Sequence, residues 1–129
     1  PCSQKRRILV MDDEEMIRET IARILKRLNW EVDTVAEGQQ AIERYTNSQN
    51  RREPYDWVMC EINGKVGLGG EEAGQHLLKL VPKAKIIISS GDPIHPVMLN
   101  YKAYGFKECL QKPFRKKDLS AMIEKVLAQ

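Results

Sequence analysis

Acidic, hydroxyl and amino side chains stand at the ends of short apolar runs in this sequence, and together they could do chemistry. Asp12 and Asp13 directly follow one apolar run, and Glu61 closes another. Ser90 and Lys112 stand at the ends of two later runs. Three carboxylates held close together repel one another unless a cation joins them. Their oxygens suit a hard divalent ion, and a lysine with a hydroxyl beside that ion suits an anion such as a phosphoryl group.

The apolar pattern alternates between short runs typical of strands and longer stretches with helical spacing. The short runs predict strands at residues 8–11, 30–35, 55–62, 84–89 and 106–111. Apolar residues at helical spacing predict helices at about 14–29, 38–48, 71–80, 96–104 and 115–127. Polar or glycine-rich stretches at 47–54 and 63–70 predict loops.

Five alternating strand–helix units predict an α/β fold with a parallel sheet and helices on both of its faces. In a sheet of this kind the binding site lies at the carboxyl ends of the strands. Because the polar side chains stand at those ends, we expect them to meet on one rim of the sheet.

The length and the composition bound the function. The 129 residues fit a single domain that needs neither a disulfide nor a metal to fold. The net charge is +3, and no stripe of basic and aromatic residues accompanies the short basic clusters, so we predict no direct nucleic-acid binding. No apolar run approaches the roughly 20 residues of a membrane span, so we expect no membrane insertion.

The three cysteines are Cys2, Cys60 and Cys109, an odd number without a short pairing motif, which argues against a disulfide framework. Cys60 and Cys109 lie in apolar runs, where a reduced cysteine acts as a small hydrophobe, and we expect Cys60 to be buried and inert. A reducing, cytoplasmic setting is therefore expected. The chain begins with Pro1, which is consistent with a domain, residues 1–129, excised from a longer protein.

The order of these residues resembles the receiver domain of bacterial response regulators and hybrid histidine kinases. That family places an acidic pair after strand one, an acidic residue after strand three, Ser or Thr after strand four and Lys-Pro after strand five. The resemblance covers nearly the whole chain, and the stretches 67–70, 96–101 and 105–106 are especially similar to receivers attached to hybrid kinases. It implies a flavodoxin-like, doubly wound (βα)5 fold with the strand order 2-1-3-4-5.

The resemblance implies a metal site and a phosphoacceptor. Asp12 and Asp13 would hold the ion, Mg²⁺ or Mn²⁺, with Glu61 as a further ligand and the backbone carbonyl of Asn63 completing the set. Glu61 would also occupy the phosphoacceptor position, where the family has Asp. Glutamate adds one methylene, about 1.5 Å of reach, and the rate of in-line transfer can fall about a hundredfold when the acceptor is displaced by about 1 Å. We therefore predict that Glu61 is a poor acceptor.

The resemblance also assigns phosphoryl-binding and switch residues to the last two strands. Ser90 would bond to a phosphoryl oxygen, and Lys112 would pair with the phosphoryl group or, without one, with Glu61. The longer Glu61 side chain would bring its carboxylate nearer to both and partly imitate the phosphorylated form. Cys109 stands where many receivers have a switch Tyr or Phe, so we expect no signalling through an aromatic flip.

Each of these residues also has a purely structural interpretation. Asp12 and Asp13 could cap the first helix, and Glu61 could serve only as an ion-pair partner of Lys112. Ser90 could be a turn residue, and the proline after Lys112 could end the strand with a cis peptide bond. The glycine-rich stretch 67–70 predicts no nucleotide site, because position 72 is Glu where a dinucleotide fingerprint requires glycine.

Three functions stay open. The first is a signalling module that accepts a phosphoryl group from a histidine kinase or a histidine phosphotransfer protein. The second, favoured for the chain as written, is a receiver-shaped interaction module that is not phosphorylated, whether Glu61 is natural or engineered. The third is a small phosphohydrolase, which lacks a second acid because position 63 is Asn. We expect the chain not to be an enzyme, with at most Mg²⁺-dependent self-phosphorylation and dephosphorylation if it accepts a phosphoryl group. A homodimer through helix four, strand five and helix five is a further possible assembly.

Overall fold

Strands and helices alternate along the chain in the computed structural model, which describes residues 6–62 and 69–129. The strands are β1 (Arg6–Met11), β2 (Trp30–Val35), β3 (Trp57–Glu61), β4 (Ile86–Ser90) and β5 (Glu108–Gln111). The helices are α1 (Glu15–Arg27), α2 (Gly38–Asn50), α3 (Gly70–Leu80), α4 (Pro96–Leu99) and α5 (Lys116–Leu127). All neighbouring strands are parallel and the sheet order is β2-β1-β3-β4-β5, which confirms the predicted fold.

Successive residues of each strand face opposite sides of the sheet, and each side is buried by helices. Leu9 and Met11 of β1 pack with buried residues of α2 and α3, such as Ala41 and Leu77. The alternate β1 residues pack on the opposite side with buried residues of α1 and α5, such as Leu25 and Leu119. Both faces of the central strands are therefore covered, and only the strand ends remain for a binding site. Among the described residues no helix is long and apolar enough to cross a bilayer.

The fourth helix is shorter than the spacing of its apolar residues predicts. It ends at Leu99 rather than near Tyr104, and the chain continues in tight turns. In these turns the backbone N–H groups of Tyr104 and Gly105 donate to carbonyls three residues back, not four. Gly105 then takes a φ of +92°, the left-handed conformation that suits glycine and reverses the chain. Gly105 therefore ends this run of turns and not the helix, which already ends at Leu99, so the predicted helix 96–104 was too long.

Two predicted loops also need correction. Part of the stretch 47–54 is the last turn of α2, which runs to Asn50; the Ser48 hydroxyl there is buried and donates to the Tyr45 carbonyl at 2.7 Å. Polar composition alone therefore did not mark the helix end. In the other predicted loop, 63–70, residues 63–68 lie outside the described residues, and Gly70 is the first residue of α3. The remaining predicted ends either coincide with the observed ones or differ from them by one or two residues.

Candidate functional site

Asp12 leaves β1 at the carboxyl edge of the sheet and is only 1% exposed. Its backbone N–H donates to the Val35 carbonyl of β2 at 3.1 Å, which continues the strand pairing by one residue. One of its carboxylate oxygens accepts the Glu14 N–H at 2.9 Å. This contact stabilises the turn into α1, so Asp12 has a structural role at the start of the helix in addition to its place at the site.

Lys112 joins the ends of three strands. Its ammonium nitrogen lies 2.6 Å from Oδ2 of Asp12 after β1 and 2.5 Å from Oε2 of Glu61 at the end of β3. Glu61 is 5% exposed, so two buried carboxylates share one ammonium group. Lys112 itself follows β5 and precedes a proline through a cis peptide bond. The predicted pairing of Lys112 with Glu61 is present.

The pKa of Glu61 depends on its burial and on the Lys112 ammonium that it shares with Asp12. Burial raises the pKa of the Glu61 carboxyl from 4.5 to about 7; the hydrogen bond from Lys112 opposes the rise, whereas the Asp13 side chain and the Asp12 charge add to it. Burial would lower the pKa of Lys112, but its bonds to Asp12 and Glu61 outweigh burial and raise it. An ion pair ordinarily lowers a carboxyl pKa, but one ammonium cannot fully compensate two buried carboxylates. The raised pKa of Glu61 is therefore the expected direction.

Four carboxylates converge at this edge. Oxygens of Asp12, Asp13, Glu14 and Glu61 all lie within 4.8 Å of one another. Together with Lys112 we call these residues the acidic rim. Their donor set is hard oxygen, which fits a cation such as Mg²⁺ or Mn²⁺. Sequence reasoning treated Glu14 only as part of the first helical turn, although its place in the acidic run beginning at Asp12 was the available signal.

Glycine at the start of α3 fixes the backbone below Glu61. A Cβ added to Gly70 would lie 2.1 Å from the Glu61 carbonyl oxygen, far inside any real contact. Only glycine lets the first turn of α3 approach the end of β3 this closely. The backbone that presents the Glu61 carboxylate is therefore held from the side of α3.

Ser90 ends β4 and is fully buried beside the rim. Its Oγ accepts the Asp92 N–H at 3.0 Å, and its carbonyl accepts the Lys112 N–H at 2.8 Å. The first contact is the turn role that the residue type suggests. The second joins the end of β4 to the lysine that holds the two carboxylates.

The other predicted site residues have different surroundings. Cys109 is half-buried within β5 and packs against the core on the α2 and α3 side of the sheet. Burial, with a contribution from the Glu108 charge, raises the pKa of its thiol. Cys60 is fully buried, and burial raises its thiol pKa to about 12, which supports the prediction that it is inert. Asn63 lies outside the described residues.

A cavity of about 730 Å³ opens beside the acidic rim. Asp13, Glu61 and Lys112 are among its polar lining residues, and Met16 and Phe114 are among its apolar ones. A ligand group that reaches the carboxylates would therefore contact α1 and the start of the segment after β5.

Known proteins with similar sequences share the resemblance that the site residues indicated. The family model described as "Response regulator receiver domain" matches residues 8–124. The chemotaxis protein CheY of Thermotoga maritima is 27% identical over 122 residues, which are 94% of this chain and 97% of that protein. The transcription factor SKN7 of Chaetomium thermophilum is 26% identical over 125 residues, or 97% of this chain. The match spans only 16% of that transcription factor.

Solved structures show the same fold. A receiver domain protein from Clostridium thermocellum superimposes with a TM-score of 0.82 at 27% identity, covering 95% of this chain and 94% of that one. A CheY-like receiver domain protein from Methanospirillum hungatei gives 0.85 at 23% identity, covering 97% and 95%. A chain of the CheX–CheY–BeF3–Mg²⁺ complex from Borrelia burgdorferi gives 0.86 at 18% identity, covering 96% and 90%.

Proposed function

This chain belongs to the response regulator receiver domain family, and on that premise we propose that it is a phosphorelay module whose phosphoacceptor position is occupied by Glu61. With glutamate at this position, the module is not phosphorylated. The fixed negative charge of Glu61 instead partly imitates the phosphorylated form in front of its partners. The partner is a histidine kinase or a histidine phosphotransfer protein, and the chain is of the type attached to hybrid kinases.

The single observation that carries this proposal is the placement of the Glu61 carboxylate. It lies at the end of β3, is nearly buried, and is 2.5 Å from the Lys112 ammonium that also contacts Asp12. A phosphoryl acceptor must meet its donor in line, and the reaction depends strongly on placement. The additional methylene of glutamate displaces the reactive oxygen, so we expect transfer to be slow or absent.

The acidic rim is the proposed metal site. Asp12, Asp13 and Glu61 would hold Mg²⁺ or Mn²⁺ through their carboxylates, and the carbonyl of Asn63, which lies outside the described residues, is the proposed fourth protein ligand. When bound, the ion supplies positive charge that offsets the repulsion among the carboxylates and attracts phosphoryl oxygens. In this proposal Glu61 is both a ligand and the block on transfer.

Ser90 and Lys112 are the proposed phosphoryl-binding residues. Both are tied to the rim, Lys112 through its ammonium and Ser90 through its carbonyl, which accepts the Lys112 N–H. Cys109, in the position of the switch aromatic, is half-buried, and we propose that the module signals without an aromatic flip. A homodimer through α4, β5 and α5 stays a prediction, and sedimentation of a Leu99→Glu variant tests it, since Leu99 is 64% exposed in α4.

Intact mass measurement with a small phosphodonor tests the function. The wild-type chain and Glu61→Asp are incubated with Mg²⁺ and acetyl phosphate, with Glu61→Gln as the control that has no carboxylate. We expect one base-labile phosphoryl group on Glu61→Asp and none on the other two chains. A base-labile adduct on wild-type Glu61 would instead establish a competent receiver. Steady phosphate release from a phosphomonoester would favour the phosphohydrolase.

A further inference from the structure

Arg18 reaches back from α1 to the backbone of the acidic rim. Its guanidinium donates to the carbonyl oxygen of Asp12 at 2.8 Å, six residues earlier in the chain. Its own backbone N–H donates to the Glu14 carbonyl at 3.0 Å. A charged donor makes a stronger hydrogen bond to a carbonyl than a neutral donor does. The side chain therefore ties the first turns of α1 to the point where the chain leaves β1.

The carbonyl of Asp12 and the N–H of Asp13 belong to one peptide unit. That unit is planar, so a partner that fixes the direction of the carbonyl also fixes the direction of the N–H. The N–H of Asp13 points to Oε1 of Glu61, at the long distance of 3.4 Å. Arg18 thus holds one end of a peptide whose other end faces the Glu61 carboxylate.

The remaining polar atoms of Asp12 also have partners. Its N–H is bonded to Val35 of β2, and its two carboxylate oxygens contact the Glu14 N–H and the Lys112 ammonium. The bond from Arg18 adds a partner in α1. Because Arg18 is the donor to the Asp12 carbonyl, we expect its loss to remove a restraint on the direction of the Asp12–Asp13 peptide.

The surroundings of Arg18 do not fix its guanidinium by close packing alone. Arg18 lines two cavities, each of about 440 Å³, one between β2 and α2 and one along α1. A flexible side chain beside open space has to lose rotamer freedom to make a fixed contact. The bond to Asp12 is therefore a specific interaction rather than a result of crowding.

We propose that Arg18 is a positioning residue for the divalent cation: it orients the Asp12–Asp13 peptide and so holds the two aspartates in place. The inference rests on the proposed cation site. Arg18 has no ligand atom for a cation, and its positive charge by itself opposes cation binding. Positioning and charge thus make opposite predictions for its removal, because loss of charge alone tightens cation binding whereas loss of orientation weakens it.

Calorimetric titration of the metal-free protein with MgCl₂ distinguishes these effects. Arg18→Ala is compared with Arg23→Ala, which removes the same charge from an exposed position on the same helix. We expect Arg18→Ala to weaken the Mg²⁺ affinity by about tenfold, the lower end of what an outer partner of a metal ligand contributes. We expect Arg23→Ala to leave the affinity equal or slightly tighter. An Arg18→Ala affinity equal to or tighter than wild type overturns the proposal.

Amide hydrogen exchange without metal provides the second measurement. We expect faster exchange at the Asp13 and Glu14 N–H groups in Arg18→Ala than in wild type or Arg23→Ala, and a changed carbonyl carbon shift at Asp12. Unchanged exchange and an unchanged shift overturn the proposal even if the melting temperature falls, since a role in helix packing alone would lower stability only. If wild type binds no Mg²⁺, the proposed cation site fails, and these two readouts decide the positioning role separately.

Discussion

Two regions of this sheet differ in how many donors and cations surround their carboxylates. In the edge strand β2, Asp33 accepts the Tyr55 hydroxyl at 2.5 Å and lies 3.4 Å from Arg7 and 3.8 Å from Arg44. The Arg7 guanidinium also lies 4.6 Å from the centre of the Tyr55 ring. We call Arg7, Asp33, Arg44 and Tyr55 the edge cluster. There one carboxylate has several donors.

The acidic rim has the opposite balance. Among the residues that the structure describes, four carboxylates are grouped there with the ammonium of Lys112. The burial and the neighbouring charges that raise the pKa of Glu61 show that its ionised form is held at a cost. A fold selected for stability alone would not gather four carboxylates and one ammonium group at one edge of the sheet. We infer that the edge cluster stabilises the sheet and that the rim is kept for binding.

The largest effect should come from Lys112→Ala. Removal of the ammonium leaves the buried carboxylates of Asp12 and Glu61 without their shared partner, and we expect a loss of about 3 kcal/mol in the free energy of unfolding. Urea denaturation in metal-free alkaline buffer measures it. Lys116→Ala, which removes an exposed lysine at the start of α5, is the control and should change little. Equal losses in the free energy of unfolding for the two substitutions would contradict the claim that Lys112 is required to compensate buried carboxylates.

Asp33→Asn should destabilise the protein, by about 1 kcal/mol, because the amide lacks the charge that pairs with Arg7 and Arg44 and that strengthens the bond from the Tyr55 hydroxyl. The same denaturation experiment measures the change. Asp56→Asn is not a clean control, since Oδ2 of Asp56 accepts the Arg7 N–H at 2.7 Å. Glu43→Gln on the exposed side of α2 serves better. A gain in stability from Asp33→Asn would contradict the claim that the donors around Asp33 compensate its charge and stabilise the sheet.

Glu61→Gln should increase the stability of the protein, whereas the two preceding substitutions decrease it. The folded-state pKa of Glu61 is raised to about 7 from 4.5, so the folded chain binds this proton more tightly than the unfolded chain does. The associated stability is present below pH 4.5 and is lost as the pH rises through about 7. We therefore expect Glu61→Gln to be more stable than wild type by about 1 kcal/mol in alkaline buffer, a value reduced for solvent screening. Melting temperatures across the pH range test it, and a pH-independent difference would contradict it.

The sequence was sufficient for the part of the site that depends on strand ends. Alternating apolar runs placed Asp12, Glu61 and Lys112 at the carboxyl edge, because parallel strands end on the same side. The length of α4 was not predictable in the same way. Phe106 packs so closely over α3 that a Cβ on Gly74 would lie 2.6 Å from its ring. That tertiary contact accompanies the turns before Gly105 and does not appear in the spacing of apolar residues.

Two further contacts were also outside the reach of sequence patterns. Glu14 joins the rim because the turn after Asp12 brings its carboxylate back toward Glu61. Arg18 contacts the Asp12 carbonyl across a separation of six residues, which is not a helical neighbour spacing. Both depend on the path of the chain between β1 and α1, and that path follows from hydrogen bonds rather than from residue type.

Calorimetric titration with MgCl₂ is the most direct test of the claim that the acidic rim is kept for a cation. Wild type is compared with Asp13→Asn in the rim and Asp33→Asn in the edge cluster, two substitutions that remove the same charge. We predict one Mg²⁺ site in wild type, retained in Asp33→Asn and lost or strongly weakened in Asp13→Asn. An absence of binding to wild type, or equal weakening by the two substitutions, would contradict the account.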